Sequence, residues 1–197
     1  MAIEPNLLVI GCAWPADTAV LNRAMGSVAV RARSVRVYAS VDSSEAMVWA
    51  IVDPATAATV TCAVTQALSA SGLEGLQLRL LQTTREWAGA SAREEAPFRY
   101  VVETDVVPAA EADFNAWYDT EHAPGLASVP GTVHAARHVD VHPSGSPHYI
   151  AVYDLTRPET LGSPAWLAVR GTDWSARVRP EFRNTKRTMY RRVDIGG

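Results

Sequence analysis

The chain has 197 residues, 48% hydrophobic and 20% charged, with 18 basic and 21 acidic side chains and a formal net charge of −3. This composition excludes a disordered tail, a collagen-like fibre and a disulfide miniprotein, and the length allows one domain or two small ones. No apolar run approaches the roughly 20 residues that span a bilayer, and Met1-Ala2-Ile3-Glu4-Pro5 lacks the basic n-region of a secretory signal. The acidic balance gives no electrostatic case for nucleic acid. The expected setting is the cytoplasm, with neither a membrane nor nucleic acid as partner. Cys12 and Cys62 are too few for a disulfide framework or a zinc site and read as buried thiols.

Near Pro5 the run Leu7 to Trp14 carries apolar residues at both parities, the pattern of a strand covered on both faces. Pro15-Ala16-Asp17 then opens a helical stretch to about Met25. Residues 34–41, rich in β-branched side chains, and 46–52 form two strands around the turn residues Asp42-Ser43-Ser44. Asp53-Pro54 marks a helix start, with Asp as N-cap and Pro in the first turn, and the helix runs to about Ala70 before Ser71-Gly72. Residues 76–84 form a fourth strand. The order is β-α-β-β-α-β, a ferredoxin-like unit, assigned to residues 1–87.

Residues 88–97 are small and polar and read as a linker. The same order then returns in 98–197. The strand 98–107 leads to an amphipathic helix over 108–121, which Pro124 ends. Strands at 132–141 and 148–155 flank a Pro-Ser-Gly-Ser-Pro turn, a helical region covers 158–178, and the last strand is 183–193. The fold class is α+β, two tandem ferredoxin-like halves with antiparallel sheets. Each sheet buries one face under helices, and pairing the two remaining faces gives a barrel within one chain. Such a chain is a monomeric pseudo-dimer, with a homodimer weakly favoured. The last 28 residues carry +5 against −8 for the rest. Their basic residues alternate with Met189, Tyr190 and Val193, as on a strand with a solvated face.

In the second half, Phe114, Trp117 and Glu121 recur at helical spacing and share a face, with Tyr118 and His122 beside it. The pattern FxxWYxxEHxP, followed by Val129-Pro130-Gly131 and a strand, resembles the EthD-like branch of the dimeric α/β-barrel superfamily. The segment SPAWLAVRGTDWSARVRPEFRN resembles the second helix of relatives in the same superfamily. The resemblance covers about 98–193 by motif and the first half by element order. Its members include cofactor-free monooxygenases, polyketide cyclases, muconolactone-type isomerases and haem-dependent enzymes, and it implies that His122 faces a cavity.

A neutral imidazole near pH 7 both accepts and donates a proton, so His122 is the first candidate for catalysis. The structural alternative is a C-terminal histidine offsetting a helix dipole. Glu121 would orient His122 or act as base, or else pair with an arginine of the basic tail. Adjacent helical residues diverge by about 100°, so the two need not share a pocket. Trp117 and Tyr118 are candidates to line an aromatic pocket or to pack in the core, and Asp119 reads as a solvated residue. His134, His138 and His142 are spaced four apart, about 13 Å along a strand, too far for one metal ion. His134, His138, Tyr149 and Tyr153 remain candidates for substrate contact, and Glu103 and Arg187 for barrel-lining positions.

The first half has no such constellation, so one site per chain is expected. Signatures of serine hydrolases, P-loop and Rossmann proteins and zincins are absent. Three functions follow. The first is a cofactor-independent enzyme that moves a proton in a small hydrophobic, aromatic or polyketide-like substrate, for cyclisation, isomerisation, elimination or oxygenation. The second is a carrier using the same cavity, and the third a haem enzyme ligated through His122 or a strand histidine.

Overall fold

The computed structural model describes residues 6–14, 26, 28, 31–69, 72–142 and 147–194. The helix expected over 15–25 lies outside the described residues, as do Ser71 and residues 143–146 of the second turn. The chain divides into two compact units, one of residues 1–83, 140–144 and 190–197, the other of 84–139 and 145–189.

In the first unit, β1 (Leu7–Ala13) is central, antiparallel to β3 (Glu45–Ile51) on one side and to β4 (Gln77–Ala88) on the other. Strand β2 (Ser34–Ser40) pairs with β3 and with the end of β8 (Phe182–Val193), Val37 opposite Val193. The Asp53 carboxylate accepts from Ala55 N at 3.0 Å and caps the turn that leads into α1 (Ala57–Ser69). Ala57, Val60, Val64 and Leu68 face Leu8, Ile10, Val37, Val48 and Ala50 in one apolar cluster. Leu7, Val9, Met47 and Trp49 point the other way and are also buried, as the mixed parity of the strands requires. Cys12 is buried but Cys62 is exposed, which corrects the expectation of two buried thiols; position 62 falls on the outer side of α1.

The second unit contains β5 (Phe98–Val106), β6 (Thr132–Asp140), β7 (Tyr149–Leu155) and most of β8. Its helices are α2 (Glu111–Trp117), α3 (Ala123–Ala127), α4 (Pro164–Arg170) and α5 (Asp173–Val178). Strand β7 pairs with β5, Tyr153 opposite Tyr100, and with β6 across an irregularity between Thr132 and His134. Ser163 and Thr172 cap α4 and α5 with their hydroxyls. Strands β4 and β8 run through both units, and the hydrogen-bonded order β1-β3-β2-β8-β5-β7-β6-β4 is that of a closed barrel. Among the described residues no helix is long and apolar enough to cross a membrane.

The stretch read as a linker is ordered by the second unit. Gly89 N–H donates to Val133 O at 2.9 Å, Ser91 N–H to Thr132 O at 2.9 Å, and Gly131 N–H to the Ser91 hydroxyl at 3.1 Å. A Cβ at Gly89 would lie 2.0 Å from the Thr132 carbonyl oxygen, a backbone atom that cannot swing aside. Gly89→Ala is therefore expected to cost about 3 kcal/mol or more, measured as a shift of the urea unfolding curve. A loss below about 0.5 kcal/mol would show that this close approach does not constrain the fold.

Candidate active site

The helix-facing side of the second unit's sheet is set by strand parity. On β5 the even residues Tyr100 and Val102 face the helices, and on β7 the odd residues Tyr149, Ala151 and Tyr153 do so. Against them α2 packs Phe114 and Trp117, both buried. The chain then makes one π-helical turn over Tyr118–His122, in which Ala123 N–H reaches back five residues to Tyr118 O. Pro124, which donates no backbone hydrogen bond, sits in the first turn of α3, where none is needed. The helix thus resumes rather than ending at Pro124 as the sequence suggested.

The π-turn resets the side-chain register. In a regular helix Trp117 would stand over Glu121. Here it stacks on His122, five residues on, with ring centroids 4.0 Å apart and 21° between planes. Tyr118 meets the same imidazole edge-on at 5.2 Å. Glu121 is turned aside, and its carboxylate accepts a 2.6 Å hydrogen bond from Thr172 at the start of α5.

A cavity opens beside this stack. Its aromatic wall comprises Tyr100, Trp117, Tyr118, Tyr153, Trp166 and Phe182, with His122 among them and Arg170, Arg179 and Arg187 also lining it. Its empty space is about 350 Å³, a figure that includes the open solvent at its mouth. The indole of Trp117 is fixed by a 3.2 Å hydrogen bond from its Nε1–H to Ser175. Three other buried polar atoms of the lining, His122 Nδ1, the Tyr153 hydroxyl and Trp166 Nε1, have no hydrogen-bond partner among the described residues. Each such group costs about 1–3 kcal/mol. Three of them around one cavity mark where a ligand's polar atoms would be satisfied.

Burial, then the charges of Arg170, Arg179 and Arg137, push the His122 pKa down to about 3, so the imidazole is neutral at pH 7. Burial pushes Tyr118 up to about 12 and raises Tyr100 and Tyr153 as well, so these phenols stay protonated. The site therefore offers one neutral imidazole able to accept a proton and several hydroxyl donors. Arg137 lies 4.5 Å over the Tyr118 ring and donates to Asp119 at 2.7 Å and Asn115 at 2.9 Å. Asp119, expected to be solvated, is thus an ion-pair partner because the helix face it occupies packs on β6.

Of the residues singled out by sequence, Trp117, Tyr118, His122, Tyr153 and Arg187 line the cavity, and the others lie elsewhere. Glu121 is held at α5, away from the cavity. Tyr149 packs on Phe114 and its hydroxyl donates to Glu111. His134 and His138 do not line the cavity, because even positions on β6 face the opposite side of the sheet. There His134 approaches Asp154 at 3.6 Å and Glu86 at 3.3 Å, and His138 is buried. Glu103 is also buried, at an odd position of β5. Tyr100, Trp166, Arg170, Arg179 and Phe182 were not anticipated. They come from a strand, a helix, a turn and a strand end, and the interleaving of aromatic and basic residues in 166–187 hints at all but Tyr100.

Among the described residues no group of three or more His, Cys, Asp or Glu side chains is placed to hold a metal ion. Of the histidines weighed as haem ligands, His122 lines the cavity, and His134 and His138 do not.

No protein-family model and no curated protein matches the chain. Solved structures do. An anthrone oxidase-like protein superposes with a TM-score of 0.65 at 15% identity, over 97% of this chain and 92% of that one. A provisionally assigned monooxygenase from Fusobacterium nucleatum subsp. nucleatum gives 0.63 at 12% identity, over 98% and 94%. A variant of chlorite dismutase from Candidatus Nitrospira defluvii, in complex with cyanide, gives 0.59 at 12% identity, over 98% and 92%. At such identities the likeness establishes the fold, that of the dimeric α/β-barrel proteins.

Proposed function

We propose that the protein is a cofactor-independent enzyme that moves a proton in a small aromatic or polyketide-like substrate held against the Trp117–His122 stack. The observation that carries this reading is His122 itself. It is a buried, neutral imidazole whose Nδ1 has no partner among the described residues and which borders an aromatic-walled cavity. A substrate ring slides between aromatic faces, where stacking orients it, and an acidic C–H or O–H of that ring is presented to the imidazole. His122 takes the proton, and the phenol of Tyr153 and the Trp166 N–H donate to the oxygen on which negative charge develops. Glu121 has no part in this step, because its carboxylate is engaged with Thr172.

The names carried by the structural neighbours make oxygenation the first reaction to examine. With an anthrone-type methylene the balance closes without a cofactor. The carbon loses two hydrogens and gains one oxygen atom as a carbonyl, dioxygen is the oxidant, and its second atom leaves as water.

The test is turnover of a panel of hydroxylated anthrones, followed by dioxygen uptake and product mass. Wild-type turnover with a 10²–10⁴-fold loss of kcat/KM in His122→Ala is expected. A His122→Ala variant as active as wild type would remove His122 from the chemistry. A panel bound and recovered unchanged would leave the carrier reading instead.

A further inference from the structure

We propose that this cavity takes an aromatic carboxylate, with its ring among the aromatic side chains and its carboxylate on Arg170, Arg179 and Arg187. The proposal rests on the reading that the cavity is the ligand site, and specifies what that ligand carries.

The three arginines come from α4, the turn after α5, and β8, and line one cavity. Other arginines of this unit are matched to carboxylates: Arg99 to Asp154 at 2.7 Å, Arg137 to Asp119 at 2.7 Å, and Arg177 to Asp113 at 3.0 Å. Arg170, Arg179 and Arg187 have no ion-pair or hydrogen-bond partner among the described residues, and no Asp or Glu is among the side chains lining the cavity. Three guanidiniums around one opening repel each other. The Arg179 charge is disfavoured first by partial burial and then by Arg170 and Arg187. No carboxylate among the cavity's lining side chains offsets this, whereas an incoming carboxylate would, and a planar guanidinium matches a carboxylate's two oxygens in fork geometry. The same anion would offset the arginine charges that, after burial, hold the His122 pKa down, making the imidazole a better base once the ligand is in place.

The test is calorimetric titration of the full chain with 2-naphthoate and with its neutral counterpart, 2-naphthamide. These probes share a ring system and differ in charge. Naphthoate is expected to bind at least about tenfold more tightly than the amide, and more weakly as salt is raised. Arg187→Gln and Arg170→Gln should each lower naphthoate affinity about tenfold while leaving amide affinity unchanged. Arg187 is exposed and Arg170 half-buried, so neither substitution opens the core. Equal affinity for both probes, equal weakening of both by the arginine variants, or binding of neither overturns the proposal. None of these results bears on proton transfer at His122, which its own turnover assay decides. Selective naphthoate binding by a protein that turns over no aromatic substrate would support the proposal and remove the enzyme reading.

Discussion

Asp154→Ala is expected to destabilise the protein by about 3–5 kcal/mol, the usual cost of leaving one member of a buried ion pair alone. Arg99 and Asp154 are 8% and 4% exposed and face each other across β5 and β7, Nε to Oδ1 at 2.7 Å and Nη2 to Oδ2 at 3.0 Å. Burial alone would raise the Asp154 pKa. The Arg99 charge and hydrogen bonds from His134 and Arg99 hold it well below the usual carboxylate range instead. Removing the carboxylate leaves a guanidinium in the interior without its ion-pair partner. Replacing both residues by leucine removes the charge as well as its partner, and should restore most of the lost stability. Urea unfolding of the two variants measures this. A single variant within 1 kcal/mol of wild type would mean that Arg99 finds another partner or reaches solvent.

Acid is expected to destabilise the protein well before its carboxylates titrate. Burial, then the nearby positive charges, pushes both His122 and His138 down to about 3. For His138 those charges are Arg99 and His134, opposed by Asp154. An unfolded histidine titrates near 6.5. Between about pH 6.5 and 3 the unfolded chain therefore binds two more protons than the folded one at these positions. The stability they contribute is fully present above about pH 6.5 and is lost as pH falls. From pH 7 to pH 5 the two together remove about 4 kcal/mol, a large share of the 5–15 kcal/mol of an ordinary domain. Below about pH 4 protonation of Asp154 acts in the same direction. Urea unfolding at pH 7 and pH 5 should show this loss in wild type, and about half of it in His122→Gln or His138→Gln. Equal stability at both pH values would mean that these imidazoles are protonated in the folded state.

Where local chemistry decides structure, the sequence was legible. Asp53 caps the turn leading into α1, as the Asp-Pro pair implies, and the Pro130-Gly131 pair places Gly131 at φ 95°. The apolar residues at both parities of Leu7 to Cys12 announced a strand buried on both faces. That same property hid the site. In β7, YIAVYDL, every residue is buried, so hydrophobicity could not tell which parity meets the helices. His134 and His138 were therefore candidates on equal terms with residues that do line the cavity. Arg187 was a candidate, but its meeting with Arg170 and Arg179 could not be foreseen, because it depends on how a helix, a turn and a strand pack. The stretch 88–97 looked like a linker because its residues are small. Gly89 is small because a carbonyl occupies the space where a side chain would be.

The turn at Tyr118–His122 makes chain length itself a chemical variable. Shortening this helix by one residue would change no side chain's identity outside the deletion, yet it would restore the four-residue period, and the place of the deletion would decide which group lies under the Trp117 indole. With Tyr118 to Thr120 shortened by one, His122 would fall four residues after Trp117 and keep its stack, now in a regular helix. With the deletion placed after His122, Glu121 would take that position and a carboxylate would replace the imidazole. Among homologous chains, an insertion or deletion at this turn should therefore track a change of reaction more closely than most single substitutions around the pocket.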